Sequence, residues 1–352
     1  MLAMSNMAKD FMPYPRQLLE IGGPAAWMTP LGGLVVALAG IYLMSLVLKK
    51  SPGNTIIEAT EQAFGPLVGT ALNILIIVSV LEMTGALFMR EYSDAMLTTT
   101  LRGAPISVVG AVFLAMSVLG AYLGIEAVAR VSRLFYLYVL GGILILILSL
   151  TPYWNVHNFL PIFGEGLPKV IFQGAYKTST ITEIILAAVI IQAMGGSVKN
   201  FTKIGCYSML IGFGILILIL ATVVLTYTWQ VGEEFTLPLL RLARTIYLGR
   251  FFQRLEAIYI LFWSIVGAIK ISLCLYGAAA SLARSLKLPD YRPLLWPLGL
   301  AMYILCLLPP DMSDAIRLED FLRTLLLIPN YFLPLFILAA YWFKGGLQRA
   351  GS

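Results

Sequence analysis

Eight long apolar runs constrain this chain more than any other feature. They are Leu31–Leu48, Leu67–Met89, Pro105–Gly124, Leu134–Thr151, Gly205–Trp229, Ala257–Ala283, Pro293–Pro309 and Leu325–Phe343. Each approaches or exceeds the roughly 20 residues a helix needs to cross a bilayer. Inside lipid every backbone N–H and C=O must be bonded within the protein, which leaves helices or closed barrels. The runs do not alternate apolar with polar, so they are helices. Charged residues make up 12% of the chain and hydrophobic ones 59%, with a mean hydropathy of +0.88. Soluble domains carry about 25% charged residues. The chain is therefore a polytopic, all-α membrane protein.

A ninth span is interrupted. Gly166–Tyr176 is short and mostly apolar, Lys177–Glu183 reads Lys-Thr-Ser-Thr-Ile-Thr-Glu, and Ile184–Ser197 is an uncharged run. Neither half crosses a bilayer alone; joined, they cross it with a polar joint in the middle. Thr180 and Glu183 have the spacing of a capping box, Thr at the N-cap and Glu three residues on. A helix opening there aims free N–H groups and a positive dipole end at its surroundings. Half-helix ends facing a small solute are a common binding device of secondary transporters. The expectation is a break over Thr178–Glu183 facing residues around Met4–Asp10. Thr182–Ile184 N–H groups would hold a ligand carboxylate, with Thr178 and Thr180 hydroxyls helping.

The remaining residue types exclude several chemistries. His157 is the only histidine and lies in a connection, and Cys206, Cys274 and Cys306 all fall inside spans. That leaves no histidine-based metal site and no disulfide framework. No phosphate-binding loop or nucleophile–base spacing occurs, so no enzyme chemistry and no cofactor are expected. The net charge of +6 points to anionic lipid at span ends rather than to nucleic acid.

Residues 1–15 are too polar for a span and lack the pattern of a signal peptide. The expectation is that only the tail of a first span is present, Pro13 and Pro15 opening a half-helix near Pro15–Gly22. Asn54–Phe64 is amphipathic and expected on the membrane surface. Gly232–Arg254, with Arg241, Arg244, Arg250 and Arg254, reads as a solvated amphipathic surface helix. An N-terminus on the inside is expected, although lysine and arginine are divided almost evenly between the two sides.

Two ionisable residues sit inside spans. Lys270 is thirteen residues from each end of Ala257–Ala283, about 20 Å from either interface. Its stem reaches only about 6 Å, and a charge at that depth costs roughly 2.5–3.5 kcal/mol even on insertion scales. Lys270 must face a polar interior, be paired or lose its charge. The functional reading is a built-in cation at a coupling-ion site or a proton carrier. The structural one is a buried ion pair fixing helix register, with Glu82 as the candidate partner. Glu183 is expected to serve its own helix as the capping acceptor. Gly195-Gly196 reads as a close-packing site, and Pro329-Asn330 and Pro334 as kinks in the last span.

Several short pieces, in this order, resemble the B subunit of spore germinant receptors, within the amino acid/polyamine/organocation superfamily. They are Ala26-Trp27, Arg90-Glu91-Tyr92-Ser93-Asp94, Gly124–Arg130, Asn158-Phe159-Leu160-Pro161 with Gly166, Glu183, Ile269–Leu273 and Asp290-Tyr291-Arg292. The resemblance implies a LeuT-like bundle of 5+5 inverted repeats, about ten spans, with spans 1 and 6 unwound. Here the first half of span 1 is expected to be missing, and Thr-Ser-Thr-Ile-Thr precedes Glu183 where the family usually has aromatic and glycine residues. It further implies one membrane domain over 1–352, made of a span 1 remnant (1–23), spans 2–5 (29–152), an outer connection with span 6 (153–198) and spans 7–10 (203–344).

The implied ligand is an amino acid or similar germinant, contacting Thr178, Ser179, Thr180, Thr182 and Glu183 with Ser5 and Asn6. Lys270, Ser272 and Glu82 would be the intramembrane coupling residues, Lys270 standing where related transporters hold a coupling sodium. Implied partners are an A-type membrane subunit and a C-type lipoprotein, in the spore inner membrane or bacterial cell membrane. The alternative is a proton-coupled amino acid permease of the same fold.

Overall fold

The computed structural model describes residues 1–164, 166–178, 181–246 and 255–350. Among these the chain is helical throughout, without strands. The first helices are α1 (Leu2–Met7), α2 (Tyr14–Gly22), α3 (Thr29–Lys50), α4 (Ile56–Phe64), α5 (Pro66–Leu72), α6 (Ser79–Thr99), α7 (Ile106–Leu123) and α8 (Ile125–Ser149). They continue as α9 (Leu167–Thr178), α10 (Glu183–Val189), α11 (Val198–Thr226), α12 (Trp229–Glu234), α13 (Pro238–Thr245), α14 (Leu255–Ser285), α15 (Leu295–Leu307), α16 (Met312–Leu327) and α17 (Leu333–Ala350). Among the described residues, seven helical stretches are long and apolar enough to cross a membrane, and Arg292–Leu307 is a shorter apolar one. Each of the eight runs falls mostly within one of them. The ninth is α9 and α10, interrupted between Thr178 and Glu183.

The chain forms two compact units. The first comprises Met1–Ala37, Ala129–Ser179 and Tyr207–Ile269. Its N-terminal segment is more ordered than its polarity predicts: Leu2–Phe11 is helical, ending in a 3₁₀ turn at Ala8–Phe11, and Asp10 is fully buried. Extended backbone at Met12 breaks this segment from α2, which opens at Pro13 and Pro15 as expected. In α3 and α9, glycines allow backbone contact. A Cβ on Gly33 would lie 1.6 Å from Thr178 Oγ1, and one on Gly174 2.4 Å from the Thr29 carbonyl. In the basic segment, α13 buries Leu239, Leu240 and Leu242, while Arg241 stacks over Phe235 at 5.3 Å. Arg250 and Arg254 lie outside the described residues.

The second unit comprises Leu38–Val128, Thr180–Cys206 and Lys270–Ser352. Here α6 packs against α7, α15 and α16. In α4 the apolar face is covered by protein: Ile56 and Ile57 are fully buried where α5, α10 and α17 pack against the helix. A true capping box opens it: the Ile57 N–H donates to Thr55 Oγ1 at 3.2 Å, and the Thr55 N–H to Glu58 Oε2 at 2.8 Å. Gly195 and Gly196 form a turn rather than a packing site. Both have positive φ (83° and 66°), and a Cβ on Gly196 would meet nothing within 4 Å. The last span is interrupted at Pro329-Asn330 by a π-turn, Ile328–Phe332.

Candidate functional site

The second unit contains a buried ion pair at the helix break. Lys270 Nζ lies 2.5 Å from Glu183 Oε1, and both side chains are almost fully buried. The lysine also sits over the Phe88 ring, 5.0 Å from its centroid. Two charges withdrawn from water each carry a desolvation penalty of several kcal/mol, recovered only by close pairing. The short contact and the ring face, which attracts a cation, supply that recovery.

The placement follows from helix register. Phe88 lies over Lys270, and a Cβ on Gly85 would meet Cys274 Cβ at 3.1 Å. A Cβ on Gly277 would meet Leu81 at 3.1 Å and Leu186 at 2.8 Å. These pairs run in opposite directions along α6 and α14. Along α10 and α14 the pairs Glu183–Lys270 and Leu186–Gly277 run in the same direction. Further on, Arg284 Nη2 donates to Gln192 Oε1 at 2.7 Å and Nη1 to Glu58 Oε1 at 2.9 Å. The same helix therefore grips α10 at its start and the turn that follows α10.

Two expectations are corrected here. Lys270 pairs with Glu183, not Glu82. Glu82 is 5% exposed, and its carboxyl oxygens have no hydrogen-bond partner among the described residues. The N-cap of α10 is Thr182 rather than Thr180; Thr182 makes no side-chain capping bond, and Glu183 is the first helical residue, with one carboxylate oxygen held by the ammonium at 2.5 Å. Nor does α10 supply a long dipole, since it has only seven residues.

The other expected residues are distributed as follows. Thr182 is buried, and Ser272 faces α7, where a Cβ on Gly120 would lie 2.8 Å from its Oγ. Two positions from Lys270 on a helix, Ser272 is turned about 200° away from it. Ser179 and Thr180 lie outside the described residues. In the first unit the Thr178 hydroxyl donates to the Gly174 carbonyl at 2.6 Å. Asn6 Nδ2 donates to the Ser208 carbonyl at 3.5 Å, beside the buried Ser5.

Three residues escaped sequence reasoning, Phe88 and Asn330 in the second unit and Lys9 in the first. Phe88 reads as one more apolar residue of its span. Lys9 is 8% exposed, with Nζ 4.7 Å from the Phe213 ring centroid and 5.1 Å from that of Tyr14. Asn330 donates from Nδ2 to the Ile181 carbonyl at 2.9 Å; a polar residue within the last span was the available signal.

Long apolar helices, one of them interrupted beside a buried ion pair, define a multi-pass integral membrane protein of transporter-like build. The family described as "Spore germination protein" matches residues 1–315, and the chain belongs to it. "Spore germination protein KB" of Bacillus subtilis (strain 168) is 25% identical over 290 residues, covering 81% of this chain and 77% of that one. "Spore germination protein A2" of the same organism is 25% identical over 354 residues, covering 96% and 93%. A solved structure of a Na+-coupled sialic acid symporter in a substrate-bound outward-open state is similar at a TM-score of 0.65. It shares 12% identity and covers 96% of this chain and 78% of its own. The fold is thus LeuT-like, and the protein resides in the spore inner membrane or cell membrane.

Proposed function

We propose that this chain is the germinant-sensing membrane subunit of a spore germination receptor. It binds a small amino-acid-like ligand at the break in its sixth span and passes a conformational change to partner subunits, an A-type membrane protein and a C-type lipoprotein. The observation that carries this reading is the Lys270–Glu183 pair seated on the first residue of α10. Thr182 and Glu183, at the start of α10, contact the ligand. Lys270 supplies there a fixed positive charge, where the symporter of similar fold is described as Na+-coupled. The test is a spore strain lacking this chain, exposed to an equimolar mixture of the twenty protein amino acids. Loss of the response, restored by the wild-type chain and not by Lys270→Met at equal membrane levels, is expected. An unaltered response in the deletion strain contradicts the reading.

One observation favours a second reading, a proton-coupled amino acid permease. The Glu82 carboxyl is buried within a span, without a hydrogen-bond partner among the described residues, and intramembrane carboxyls are used as proton carriers in pumps and transporters. Proteoliposomes that take up protons with the amino acid mixture, and lose that uptake in Glu82→Gln, would favour it.

A further inference from the structure

The carbonyl of Ile181 lies in the break, just outside the ladder of α10. The ladder of α10 starts one residue later, where the Leu186 N–H donates to the Thr182 carbonyl at 3.0 Å. A carbonyl outside a helix ladder in a dry interior costs free energy comparable to a lost hydrogen bond unless another group meets it. The group that meets it comes from the last span, 149 positions away: Asn330 Nδ2, at 2.9 Å.

Asn330 is an expensive way to satisfy one carbonyl. It is fully buried, and its own Oδ1 has no hydrogen-bond partner among the described residues. Its helix is also interrupted around it, by the π-turn Ile328–Phe332 with Pro329 inside. Such turns are rare and recur at functional sites. The turn is packed on the first turn of α10. A Cβ on Gly40 would come within 2.9 Å of both Tyr331 Cε1 and Ile184 Cδ1.

We propose that Asn330 is a positioning residue of the ligand site: its amide holds the Ile181 carbonyl, and so fixes Thr182 and Glu183 for binding. The proposal rests on the germinant-site reading for what the break does, but its geometry can be tested without a ligand. In this arrangement the last span registers any movement of the break through one hydrogen bond.

The experiment uses the full chain in lipid nanodiscs with Cys206, Cys274 and Cys306 replaced by alanine. Thr182→Cys reports on the break, and Ala187→Cys, at a fully buried position of α10, reports on general loosening. The probe is a charged methanethiosulfonate reagent. Asn330→Ala is expected to raise the labelling rate at Thr182→Cys about tenfold, the loss of roughly one hydrogen bond, with Ala187→Cys unchanged. Asn330→Leu, similar in volume and without a donor, should act alike and serves if the alanine variant fails to insert. Asn330→Ser, which keeps a donor, should fall nearer the wild-type rate. Unchanged labelling at Thr182→Cys in both Ala and Leu variants overturns the proposal. So does an equal rise at Ala187→Cys, which marks a merely structural role. No germinant enters this assay, so its failure leaves the receptor reading standing, and an absent amino acid response leaves this result standing.

Discussion

Lys270 and Glu183, 87 positions apart in the chain, meet at 2.5 Å at the start of the second half-helix of the broken span. One partner without the other is an uncompensated charge in an apolar interior, so the pair is worth more in the breaking than in the making.

Removing one partner should therefore cost more than removing both. Lys270→Met strands the Glu183 carboxylate and is expected to lower stability by about 3–5 kcal/mol. Adding Glu183→Gln to it should restore most of that loss, whereas Phe88→Leu alone should cost only about 1–2 kcal/mol. Thermal aggregation midpoints of the purified variants in lipid decide this. A double variant no more stable than Lys270→Met would show that the pair is not the source of the loss.

Threonines before two helices separate capping from binding. Thr55 accepts the Ile57 N–H in the capping box of α4, while Thr182 makes no side-chain cap bond. Thr55→Ala should destabilise the protein by about 1 kcal/mol. Thr182→Val should leave stability nearly unchanged yet weaken the response to the amino acid mixture about tenfold, roughly one hydrogen bond to a charged group. Equal effects of the two changes on response would remove Thr182 from the site. Thr180→Val is expected to act like Thr182→Val.

These threonines also show where legibility ended. Thr55-Ile-Ile-Glu58 and Thr180-Ile-Thr-Glu183 are the same local pattern, but α4 opens one residue after its threonine and α10 only at its glutamate. Local spacing cannot show that a lysine on another helix pairs with the second glutamate. The eight spans and the interrupted ninth were legible, because hydrophobicity over about 20 residues is a local property that lipid enforces. The Asn330–Ile181 contact was not, because it depends on which helices become neighbours. Nor was the burial of Lys9 and Asp10, whose polarity reads as a surface segment until Tyr14 and Phe213 are seen around the lysine.

Close helix contact in the first unit gives a steric prediction. Gly33→Ala would place a Cβ 1.6 Å from Thr178 Oγ1, whereas a Cβ on Gly141 meets nothing within 4 Å. Gly33→Ala should cost about 1–3 kcal/mol through overpacking, visible as reduced membrane levels and a lower midpoint. Gly141→Ala should change neither; a tolerated Gly33→Ala would contradict the packing of α3 on α9.

The Glu58 node gives a prediction in pH. Burial acts to raise the pKa of this carboxyl. The Thr55 hydroxyl, the Arg284 guanidinium and backbone N–H groups outweigh burial and hold it below the ordinary 4.5. A carboxyl depressed in the folded state contributes stability above its unfolded pKa and loses it as pH falls through the folded value. The wild-type midpoint should therefore fall below about pH 4.5, and Glu58→Gln should flatten that slope. At neutral pH the same change should cost less than about 1 kcal/mol, as for other solvent-reached ion pairs. An acid slope unchanged by Glu58→Gln would assign the effect to other carboxylates.

The most direct test of the account is the spore response to the amino acid mixture with all sodium replaced by choline, in wild type and in Lys270→Met. If Lys270 serves as the fixed cation of the site, the wild-type response is independent of sodium, and Lys270→Met, compared at matched membrane levels, does not respond. A wild-type response that strictly requires sodium would contradict it.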